Sequence, residues 1–132
     1  MRYLVRLLVC FATVALLVSA DTPPKAKLLG RVTDSHGVTI PGASLIVHWD
    51  PSGSDIGLDS NVGLREDLNV RVDKTGIYSI EVPPGFYDVF VSSPAFEPLC
   101  RKVRLRPGGS ETFNPKLAVS LLVSKELADK PF

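Results

Sequence analysis

From residue 27 onward, apolar and polar residues alternate in short bursts, each cut off by Gly, Pro, Asn or Asp. A period of two sends successive side chains to opposite faces of a strand and cannot build one apolar face of a helix. The bursts run Leu28 to Thr33; Ala43, Leu45, Val47, Trp49; Leu68, Val70, Val72; Tyr78, Ile80, Val82; Tyr87, Val89, Val91; Leu99 to Leu105; and Leu117, Val119, Leu121, Val123. Asp34-Ser35-His36-Gly37, Pro41-Gly42 and Pro107-Gly108-Gly109 read as turns between them. Asp73-Lys74-Thr75-Gly76 suits a type I turn and Pro83-Pro84-Gly85 a type II turn. Residues 50–67 form the one long loop. Seven strands at roughly ten-residue spacing predict an all-β, seven-stranded antiparallel Greek-key β-sandwich.

The N-terminus has a different character. Arg2 and Arg6 precede an apolar run from Leu7 to Val18, and Val18-Ser19-Ala20 supplies the small residues of a cleavage site. That order is the pattern of a secretory signal peptide. The apolar run spans about twelve residues, short of the roughly 20 needed to cross a bilayer, so no stable membrane span is expected after cleavage. The expected layout is a signal peptide over 1–20, a spacer over 21–26, the sandwich over 27–123 and a frayed tail over 124–132. The expected location is secreted or periplasmic.

Cleavage changes the charge and the cysteine count. Loss of Arg2 and Arg6 leaves thirteen basic residues against fourteen acidic ones, a slightly negative domain with no electrostatic case for nucleic acid. Cys10 leaves with the signal, so Cys100 has no partner for an internal disulfide and the core must suffice alone. Without a histidine beside it to activate the thiol, Cys100 is expected to be buried.

Four segments carry a family resemblance: Gly30-Arg31-Val32-Thr33-Asp34, Pro41-Gly42-Ala43-Ser44-Leu45, Asp73 through Ile80, and Pro83-Pro84-Gly85-Phe86-Tyr87-Asp88-Val89. In this order and spacing the chain resembles the carboxypeptidase regulatory-like domains of the transthyretin-like class, over about residues 27 to 117. The resemblance implies an accessory module rather than a catalytic one. Beside it stands a physical reading of the same residues. Gly30 inside a strand points to a bulge or a close backbone approach. Tyr78 and Tyr87 are placed to enter the core with their hydroxyls reaching backbone groups.

Two enzyme families share related sandwiches. Intradiol dioxygenases hold ferric iron with two tyrosines and two histidines. Aligned on Val91-Ser92-Ser93-Pro94, this chain has Phe86 and Asp88 where the histidines belong, and its two histidines, His36 and His48, lie far upstream. The tyrosine–arginine–glycine–serine signature of hydroxyisourate hydrolases does not occur. No nucleophile elbow, zinc spacing or phosphate loop is present. No catalytic residues, no metal ligands and no cofactor are expected, and the enzymes stand as a third reading in which this chain is a relic without their active site.

Three features bear on binding. His48, Trp49 and Arg65 flank the long loop, where an aromatic plane beside hydrogen-bonding groups suits a sugar ring; alternatively, Trp49 continues the face of Ala43, Leu45 and Val47 and caps the core. Lys102, Arg104 and Arg106 share one strand face, suited to an acidic partner or to protecting an edge. Asp50, Asp55, Asp59 and Asp67 supply oxygens in the loop but match no calcium-loop spacing. The expected function is an exported non-catalytic module binding carbohydrate or the cell envelope, or alternatively a protein-interaction accessory. The partners in view are a polysaccharide or an envelope protein.

Overall fold

The computed structural model describes residues 22–52, 64 and 66–121. The expected signal peptide, Arg65, most of the long loop and the expected tail lie outside the described residues. Among the described residues no helix is long and apolar enough to cross a membrane.

The strands are β1 (Ala26–Arg31), β2 (Thr33–Asp34), β3 (Ser44–Trp49), β4 (Leu68–Arg71), β5 (Ile77–Val82), β6 (Gly85–Ser92), β7 (Leu99–Leu105), β8 (Ser110–Thr112) and β9 (Lys116–Leu117). They form a three-stranded sheet ordered β5-β1-β8, a four-stranded sheet ordered β4-β3-β6-β7 and a small β2-β9 pair. The inward residues of both large sheets meet in one core: Leu28, Tyr78, Ile80 and Val82 from one side, Leu45, Val47, Tyr87, Val89, Val91, Val103 and Leu105 from the other. The two faces therefore close on each other, as period two demands.

Local chemistry sets the turns. Asp34 Oδ1 accepts the backbone N–H groups of His36 and Val38, and Asp73 Oδ1 those of Thr75 and Ile77. An aspartate that caps its own turn in this way fixes where the next strand begins. The two tyrosines are buried as expected: Tyr78 donates its hydroxyl to the Phe113 carbonyl, and Tyr87 donates to Pro83 O at 2.6 Å.

The structure departs from expectation in four places. The pairing is not wholly antiparallel, because β8 lies parallel to β1 and β9 parallel to β2. After β7 the chain crosses to the opposite sheet, and its last strands run alongside the first ones. The final alternation is not a long buried strand: Leu117 is buried, but Val119 and Leu121 are 55% and 76% exposed. Asn114-Pro115 interrupts pairing after β8; β9 resumes it briefly, and beyond it Val119 makes a single antiparallel bridge with Phe96. Gly85 opens β6 directly at φ 155° instead of taking the φ of about +80° that a type II turn requires. Cys100 is exposed rather than buried. It shares its parity on β7 with Lys102, and that parity faces solvent.

Gly30 makes a close approach and not a bulge. Pairing of β1 with β5 runs without a break from Ala26↔Val82 to Arg31↔Ile77. A methyl group at Gly30 would stand 1.8 Å from the Phe113 carbonyl oxygen.

Candidate functional site

The outer face of the four-stranded sheet gathers the polar residues that the sequence scatters. On β3, Leu45 and Val47 turn inward, so Ile46 and His48 turn out. On β6, Tyr87, Val89 and Val91 turn inward, which leaves Phe86, Asp88 and Phe90 outside. Register then lines up two rows across the sheet. One reads Asn69, Ile46, Phe90, Cys100; the next reads His48, Asp88, Lys102. Beyond them Asp50 donates its N–H to Phe86 O at 2.9 Å and continues the ladder past the end of β3.

The second row is a charge network. His48 donates from Nδ1 to Asp67 Oδ1 at 2.6 Å, joining β3 to the residue that leads into β4. Lys102 Nζ meets Asp50 Oδ2 and lies 3.0 Å from Asp88 Oδ1. Asp50 Oδ1 in turn accepts from Ser52 N at 2.9 Å and Ser52 Oγ at 2.6 Å. The Lys102 and Ser52 hydrogen bonds hold the Asp50 carboxyl well below the usual carboxylate range. Asp50 and Asp88 raise the Lys102 ammonium in return. All these pairs sit at the surface, where such bridges contribute little stability and serve mainly to fix side-chain positions.

The Asp67 hydrogen bond, and then its charge, raise His48 above its ordinary value of 6.5. A group raised on folding contributes stability that is complete below its unfolded pKa and lost as pH rises through the folded one. The His48–Asp67 tie is therefore firm below about pH 6.5 and loosens above that. An NMR titration of the His48 ring is expected to show a midpoint above 6.5, falling toward 6.5 in Asp67→Asn. A midpoint at or below 6.5 in the wild type contradicts the pairing.

The sequence-predicted residues separate here. His48 belongs to the network. Trp49 faces the other way, half-buried and packed against the core, its indole edge beside Gly85, where a Cβ would lie 3.2 Å from Nε1. Arg65, Asp55 and Asp59 lie outside the described residues. Asp50 and Asp67, whose spacing matches no calcium loop, engage Lys102 and His48. Of the basic stripe, Lys102 is tied to two carboxylates, while the Arg104 guanidinium stands over the Phe86 ring at 5.9 Å. The outward pair Ile46 and Phe90 went unnoticed as a surface, although strict alternation with Leu45, Val47, Val89 and Val91 already placed them there. Among the described residues no group of three or more His, Cys, Asp or Glu side chains is placed to hold a metal ion.

Two sheets face to face with an inward tyrosine on each define a β-sandwich of the transthyretin-like class. The profile of the carboxypeptidase regulatory-like domain matches residues 27–118, and the chain belongs to that family. No curated protein sequence matches it. Among solved structures, wild-type catechol 1,2-dioxygenase of Acinetobacter radioresistens is similar, with 16% identity and a TM-score of 0.57, over 78% of this chain and 54% of that one. The Bacillus anthracis TIE protein is similar at 16% identity and a TM-score of 0.53, over 73% of this chain and 17% of that one. A DUF3823 family protein from Parabacteroides merdae is 22% identical with a TM-score of 0.51, over 74% of this chain and 47% of that one. This chain spans about half the length of the dioxygenases it matches. At such identities the likeness establishes the fold alone.

Proposed function

We propose that the chain is exported through residues 1–20 and acts as a non-catalytic accessory module that docks onto a protein of the cell envelope. The docking surface is the outer face of the four-stranded sheet. The observation that carries this reading is the pair Ile46 and Phe90, 37% and 45% exposed and directly opposite one another across β3 and β6. Exposed Cys100 continues their row, and the His48–Asp67 and Asp50–Lys102–Asp88 groups border it. An apolar centre with a polar rim is the anatomy of a protein–protein interface.

A sugar partner is less well supported by the same face. Stacking needs an aromatic ring with a free side; Trp49 is half-buried, and Phe86 carries the Arg104 guanidinium over its ring. The non-catalytic reading is supported by the thiol as well. Slight desolvation and the Asp88 charge push the exposed Cys100 thiol up, away from the reactive thiolate.

The test places a photo-crosslinking residue at position 90 in the native host and, as a control, at Ser79 on the opposite sheet. A discrete adduct from position 90 alone, identified by mass spectrometry and re-formed with the purified partner, is the expected result. Retention on a polysaccharide that is lost in Trp49→Ala, with no protein adduct, would move the function to carbohydrate binding.

A further inference from the structure

The edge of the same sheet offers a second surface. Among the described residues β7 pairs with β6 and has no strand on its other side. Which backbone groups point outward follows from the ladder. Phe86 directs its carbonyl to Asp50 and hence toward β3, so its neighbour Tyr87 turns its backbone groups toward β7. Tyr87 pairs with Val103 and Val89 with Arg101, so those two β7 residues face β6. Cys100 and Lys102, of opposite parity, present their N–H and C=O groups at the open edge.

Beside that edge a cleft of about 360 Å³ runs between β7 and β8, the strands at which the two sheets part. Its lining includes Arg101, Lys102, Arg104 and Arg106 against one acid, Glu111. Arg101 stands over the Phe113 ring at 5.2 Å, so an aromatic face from the opposite sheet holds its guanidinium at the mouth. A planar guanidinium held in this way keeps its N–H fork available for a carboxylate.

We propose that β7 accepts an extended acidic segment of a partner protein as an added strand. This inference deepens the docking reading by naming the chemistry of the partner. The segment's main chain bonds the outward groups of Cys100 and Lys102, and carboxylates on its two faces meet Arg101 on the inner parity of β7 and Arg106 on the outer. A second copy of this chain is not the occupant, since antiparallel β7 against β7 sets cations among cations. The same charges guard the free edge against self-association, and an acidic strand is the one they admit. An anionic polysaccharide satisfies the arginines but has no amide groups to complete the ladder.

The experiment uses the purified full chain and a short extended peptide of glutamate and valine with glutamates on both faces, with amide hydrogen exchange read residue by residue. Binding at low salt with slowed exchange at Cys100 and Lys102 is the expected result. Reversing Arg101 and Arg106 to Glu is expected to weaken binding by at least about tenfold, the loss typical of charge-assisted hydrogen bonds. Cys100→Pro removes one outward N–H while leaving the β6 ladder intact; it is expected to weaken binding with an unchanged melting temperature. No binding at low salt, binding that leaves both amides unprotected, or equal affinity for polygalacturonate would each overturn the proposal. None of these outcomes touches the Phe90 crosslink, so failure at the edge and failure of the sheet-face docking are told apart.

Discussion

Gly30→Ala is expected to lower the stability of the sandwich by about 3–5 kcal/mol, combining overpacking with the loss of a buried hydrogen bond. The added methyl would stand 1.8 Å from the Phe113 carbonyl oxygen, 2.7 Å from its carbonyl carbon and 2.8 Å from the Tyr78 hydroxyl. The two nearest atoms are backbone, so no side chain can swing aside. Phe113 is itself fixed, because its N–H donates to Leu29 O at 2.9 Å and its ring is buried in the core. Relief requires moving the end of β8, which breaks the Tyr78–Phe113 bond that spans the three-stranded sheet from β5 to the end of β8. A small domain has only about 5–15 kcal/mol in total, so this one methyl removes a large share. The melting temperature is expected to fall by roughly 15–30 °C. A midpoint within a few degrees of wild type would contradict the close approach.

Tyr87→Ala is expected to cost a similar amount, about 3–5 kcal/mol, for a different reason. Tyr87 is fully buried on β6, and its ring fills the centre of the core. Truncation leaves a cavity that the β3 and β7 neighbours, held in register at Trp49 and Val103, cannot collapse to fill. Tyr87→Phe keeps the ring and gives up the hydroxyl's bonds to Pro83 O and to the Leu64 backbone, at about 1–2 kcal/mol. Burial pushes the phenol up to about 12, so it stays neutral at any pH where the domain is handled. Urea unfolding of the pair separates ring from hydroxyl. Equal losses for Ala and Phe would mean that the hydroxyl, and not the packing, dominates.

Much of the fold was legible because alternation reports burial directly. Leu45, Val47, Val89 and Val91 were inward in the pattern and are inward in the structure. Tyr78 and Tyr87 reached backbone carbonyls as their spacing required. The last strands were not legible, since a parallel partner distant in sequence decides whether alternating residues are buried. Leu117 found a place beside Asp34 in the β2–β9 pair, whereas Val119 and Leu121 did not reach the core. Cys100 misled for a related reason: residue type suggested burial, but its parity on β7 set its face.

The candidate site was half visible. His48 and Asp50 drew attention through their place beside Trp49 and the loop. Their partners could not be read, because the meeting of His48 with Asp67 and of Lys102 with Asp50 and Asp88 depends on cross-strand register. Register is set by turn geometry and by the buried face, neither of which marks an outward charge in the sequence. Of the two readings of Trp49, the structure has the inward one, because the open β6 start at Gly85 gives its indole edge a place against the sheet.

The proposed function has the outer face of the four-stranded sheet docking a partner protein. It is tested most directly by the affinity of the crosslinked partner for three forms of the chain: wild type, Phe90→Glu and Ser79→Glu. Loss of about tenfold or more in Phe90→Glu, with Ser79→Glu unchanged and both folded, is the predicted result, as for a residue central to an interface. Equal affinity in all three would place the partner elsewhere and contradict the account.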